Sequence, residues 1–170
     1  MSDIVEKVKE ERTLLEKITS YIPGYHGYKE KELRRESDKM IRESVVRMLK
    51  EAKTPLNEAV REVSDSGNVS SFKYANRALA VLDRVTSKIE HADYGYSGFF
   101  DAVKVKEDKL DKLIEFDLSL LDAAKTIKDS SYKVSSQADM SKSFDEFRKK
   151  LLELESTLYN RESIIFEVSK

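Results

Sequence analysis

The chain has 170 residues, 37% of them charged and 39% hydrophobic, and its 31 basic and 32 acidic side chains leave a formal net charge of −1. Seven glycines and prolines in all are too few for a sandwich or barrel, which needs turn residues about every 8–12 positions, and the balanced charge lacks the basic excess usual in nucleic-acid binders. With no cysteine, disulfides, thiolate metal sites and cysteine nucleophiles are excluded.

Apolar spacing is helical almost throughout. In the first segment Ile4, Val8, Leu15, Ile18 and Ile22 share one face, and Pro23-Gly24 stop it. The polar face of this helix mixes acid and base and its apolar face lacks Trp and Phe, so bundle packing is expected rather than membrane-surface binding. A second segment carries a stripe from Leu33 through Met40, Ile41, Val45 and Leu49 to Val63. Pro55 interrupts it, which predicts a helix kinked or split near that residue. The third segment places Phe72, Ala75, Leu79, Leu82, Val85 and Ile89 together, and the fourth Leu110, Leu113, Ile114, Leu120, Leu121, Ala124 and Ile127. A serine-rich break over 135–143 precedes the fifth segment. There Ser143 and Glu146 form an expected capping box, and Phe144, Phe147, Leu151, Leu154, Leu158, Ile165 and Val168 give the clearest coiled-coil heptad. The expected fold is all-α: an elongated antiparallel bundle of four to five helices in a single domain over residues 1–170. No apolar signal core or stretch of about 18 apolar residues occurs, so a soluble cytoplasmic protein is expected.

Two glycine corners punctuate the helices, GYHGY at 24–28 and GYSGF at 95–99, and hold four of the five glycines. The stretch LLEKITSYI at 14–22 echoes VLDRVTSKI at 81–89, and both run into a corner, which suggests a duplicated helix–corner–helix unit. In an up-down bundle both corners fall at one end. Gly24, Gly27, Gly95 and Gly98 are then helix-ending corner glycines. Phe99 and Phe100 seal the bundle, while Tyr25, His26, Tyr28, His91, Tyr94 and Tyr96 form a candidate recognition surface, tyrosine offering area and a hydroxyl at low entropic cost.

The segments IPGYHGYKEKELRRESD (22–38) and YGYSGFFDAVKV (94–105) resemble the hallmark stretches, IPGYxGYK and YGYxGxFDAVK, of a prokaryotic family of small helical proteins with no established activity. The resemblance spans residues 22–122. It implies a shared helical fold and carries over no catalytic residue.

Other motifs weigh less. The Gly-x-x-Gly of each corner lacks the context of a KH domain, and no phosphate loop is present. A di-iron bundle needs Glu-x-x-His on two helices, which neither histidine satisfies; a mixed site of His26, His91 and a carboxylate is geometrically conceivable, but metal is disfavoured. The dense charge of residues 29–42 is best read as a solvated face of interleaved pairs. Asp117 lies on the apolar stripe of the fourth helix and Arg161 occupies a heptad slot of the fifth. A buried carboxylate needs a partner, so the two form a candidate buried polar pair that fixes register.

No catalytic constellation assembles and no cofactor is implied. The expected function is a non-enzymatic scaffold or adaptor that binds a protein partner or itself. The alternatives are a small-ligand or metal-binding bundle using the corner end and, less favoured, a peripheral membrane protein. No nucleic-acid partner is expected.

Overall fold

The computed structural model describes residues 2–92, 99–100 and 105–168. Five long helices carry these residues: α1 (Ser2–Tyr21), α2 (Arg34–Asp65), α3 (Val69–Glu90), α4 (Glu107–Ser131) and α5 (Met140–Val168). The described residues include no strand, and the protein is an all-α helical bundle.

Four helices close a ring. α2 packs on α3 and α4, and α5 packs on the same two. Ion pairs across the seams give the directions. Lys53–Asp83 (2.8 Å) and Lys50–Glu90 (2.6 Å) set α3 antiparallel to α2. Asp117–Arg161 (2.6 Å) and Lys109–Glu167 (3.1 Å) set α5 antiparallel to α4. The hydroxyls of Ser71 and Ser141 meet at 2.8 Å and Arg84 pairs with Glu155, so α3 and α5 are parallel neighbours. Each helix from α3 to α5 thus reverses the one before it, and α3 and α4 stand at diagonally opposite places in the ring.

The ring core follows the helical repeat. α3 buries Ala75, Ala78, Leu82, Val85 and Ile89, and α5 buries Phe144, Phe147, Leu151, Leu154, Leu158, Arg161 and Ile165 in strict alternating steps of three and four. α2 runs as one continuous helix through Pro55, not as two. It ends at Gly67, where φ is +69°, and Asn68 caps α3 by accepting a hydrogen bond from the Ser71 amide at 3.1 Å. The expected capping box at Ser143 is not the start of α5. That helix begins three residues earlier, and Asp139 accepts from the Lys142 amide at 3.1 Å.

α1 stands outside the ring and packs chiefly on α4. Lys7 meets Asp111 at 3.3 Å and Tyr21 donates to Asp122 at 2.6 Å, so α1 runs parallel to α4 and hence to α2. Between α1 and α2 the chain must return along α1. Residues 22–30 form that strap, with Lys29 on Glu11 at 2.8 Å. The two helix–corner–helix units are therefore built differently: α1 and α2 run the same way, and α3 and α4 run oppositely. Packed chiefly on α4, α1 leaves Ile4, Val5 and Val8 outside the core at 69, 53 and 57% exposure, contrary to the expectation that Ile4 and Val8 lie on a buried stripe.

Candidate functional site: a buried arginine–carboxylate–tyrosine network

The site grows from the strap inward. Gly24 and Gly27 adopt φ of +90° and +74°, the left-handed region that favours glycine, and turn the chain so that Tyr25 and Tyr28 both point into the bundle. Gly27 also sits where a Cβ would lie 3.3 Å from Leu15. Ser37 Oγ donates to the Gly27 carbonyl at 2.6 Å and Arg34 Nε to the Tyr28 carbonyl at 2.8 Å, which fasten the strap to the first turns of α2.

Asp117 is the meeting point. Its Oδ2 accepts from the hydroxyls of Tyr25 (2.9 Å) and Tyr28 (2.5 Å), and its Oδ1 accepts from Arg161 Nε at 2.6 Å. Arg161 Nη2 then donates to Asp38 Oδ1 at 2.7 Å and to the Tyr28 hydroxyl at 2.9 Å. The second oxygen of Asp38 takes Arg42 Nε at 2.9 Å. Asp117 and Arg161 are wholly buried and Asp38 nearly so. Two carboxylates face two guanidinium groups, so the charge balances locally. Ion pairs out of water persist only on such terms, because desolvation costs several kcal/mol per ion.

Burial pushes the Asp117 carboxyl up from its ordinary range, against the Arg161 charge and the donors from Tyr28, Arg161 and Tyr25. Burial, with the Asp117 charge next, pushes both the Tyr25 and the Tyr28 hydroxyls well above the usual phenol range. At the edge of the bundle Tyr21 is pushed up to about 12, by burial first and then by its hydrogen bond to Asp122.

Aromatic rings close the end above the network. Tyr25, Tyr28, Phe99 and Phe100 form successive edge-to-face pairs with centroids 6.2, 5.8 and 5.5 Å apart. The guanidinium of Arg34 stacks over Phe99 at 5.4 Å and that of Arg35 over Phe100 at 4.9 Å. The contact between Tyr28 and Phe99 sets the last residue of the second corner against the first.

These placements correct part of the expected recognition surface. Tyr25 and Tyr28 are 4% and 0% exposed, because a buried carboxylate offers their hydroxyls an acceptor that water would otherwise supply. They are core residues. His26 and His91 are exposed, and His91 Nδ1 lies 2.8 Å from the Ser87 carbonyl at the end of α3. Tyr94, Tyr96, Gly95 and Gly98 lie outside the described residues. Asp117 and Arg161 meet directly. Among the described residues no group of three His, Asp or Glu side chains is arranged to hold a metal ion, and no helix is long and apolar enough to cross a membrane.

Sequence reasoning missed Asp38 and Arg34, both assigned to a solvated charged face and both buried. The signal was available: Arg34, Asp38, Ile41, Val45 and Met48 follow steps of four and three on a single stripe. Chemically the network holds elements together. Its acid and base groups are consumed by one another, and Arg161 joins α2, α4, α5 and the strap. No family model, curated protein or solved structure matches the chain.

Proposed function

We propose that this protein is a non-enzymatic helical scaffold that binds a protein partner, or a second copy of itself, through an exposed helix face in the cytoplasm. One observation carries the reading: the N-terminal half of α1 presents Ile4, Val5 and Val8 to solvent side by side, while the buried Asp117 and Asp38 are both paired with Arg161. Exposed single apolar residues are ordinary, but three within two turns of one helix make a contiguous apolar surface of the kind that marks an interaction site. The absence of cysteine suits a reducing compartment.

The test is light scattering across concentration combined with affinity capture from the source cell. A dimer, or a stoichiometric partner, is the expected result. A monomer that captures nothing at every concentration overturns the proposal.

A further inference from the structure

The seam between α1 and α4 buries little of α1. Of the 20 residues of α1 only Ile18 is fully buried, whereas α2 buries residues along its whole length from Arg34 to Val63. A crevice of about 220 Å³ opens between Lys7, Glu10 and Leu14 on one side and Asp111, Ile114 and Glu115 on the other. Asp111 Oδ1 is buried in this seam and has no hydrogen-bond partner among the described residues. Two polar ties cross the seam, Lys7–Asp111 and Tyr21–Asp122, and Lys29 of the strap pairs with Glu11.

The attachment at the end of α1 is of another kind. Pro23 and Gly24 are exposed, and the next residues inward, Tyr25 and Tyr28, are anchored on Asp117. α2, α3, α4 and α5 pack into the ring on one another, and α1 adds Ile18 to its core from outside.

We propose that α1 is a releasable arm. It swings off α4 about residues 22–24 as one unit, while the strap tyrosines stay seated and the ring stays folded. An isolated helix of this length is marginal in water, so the released arm also loses its helical hydrogen bonds. Release uncovers a strip of α4 on which Ile114 and Leu118 are flanked by Asp111, Glu115 and Asp122.

Hydrogen exchange on the full chain under native conditions tests this. The amides of α1, including those around Ile18, should exchange together and at least about 10-fold faster than those of Leu49 and Leu121 in the ring. Because the chain has no cysteine, Lys7→Cys with Asp111→Cys can be joined by a short bismaleimide. That link should slow exchange around Ile18 at least about 10-fold. Exchange around Ile18 as slow as in the ring overturns the proposal. So does fast exchange that the link leaves unchanged, since that is fraying in place.

Discussion

Arg161 stands between two buried carboxylates, and its removal strands Asp117, since Asp38 keeps Arg42. Arg161→Met should therefore cost about 3–5 kcal/mol, measured by urea denaturation. Adding Asp117→Leu should restore part of that loss, because the stranded charge goes with it. The strap tyrosines give the pH dependence. Their hydroxyls are raised well above the usual value near 10 in the folded chain. The unfolded chain thus gives up these protons at about pH 10 while the folded chain keeps them. Their contribution to stability is complete below pH 10 and declines above it. In an alkaline titration followed by the phenolate absorbance, Tyr25 and Tyr28 should stay protonated until the protein unfolds. Asp117 was legible from its place on an apolar stripe, and so was Arg161. The tyrosines were not: a loop position has no periodicity, and nothing local says that a ring turns inward.

At the level of the element, the strap is the least repetitive part of the chain and the most constrained. Gly27 and Gly67 share a left-handed φ but differ in their surroundings: a Cβ on Gly27 would press on Leu15, and one on Gly67 would meet open space. Gly67→Ala should cost about 1 kcal/mol, the backbone penalty alone, and Gly27→Ala about 1–3 kcal/mol more because the packed seam must shift. Thermal denaturation of the two variants side by side checks the difference. The buried stripes of α3 to α5 followed from apolar spacing, although α5 starts before the expected capping box at Ser143. Pro55 misled in part. Its ring removes one hydrogen bond from α2, yet the buried residues on both sides, Ala52, Leu56 and Ala59, hold the helix continuous against the ring.

At the scale of the molecule, the all-α bundle was written in the repeat of three and four, but the arrangement of the helices was not. Amphipathic faces specify that helices pack; they do not specify which neighbour each one takes. The direction of α1 depends on the strap doubling back, which rests on the two left-handed glycines and the tyrosines they aim. Its consequence is the uncovered apolar surface at Ile4, Val5 and Val8 on which the scaffold reading stands. The most direct measurement is quantitative affinity capture from the source cell with the native chain and an Ile4→Ser, Val5→Ser, Val8→Ser variant in parallel. The native chain should retain a stoichiometric protein, itself or another, and the variant should retain at least about 10-fold less. Capture of nothing by the native chain, or equal capture by both, would contradict the account.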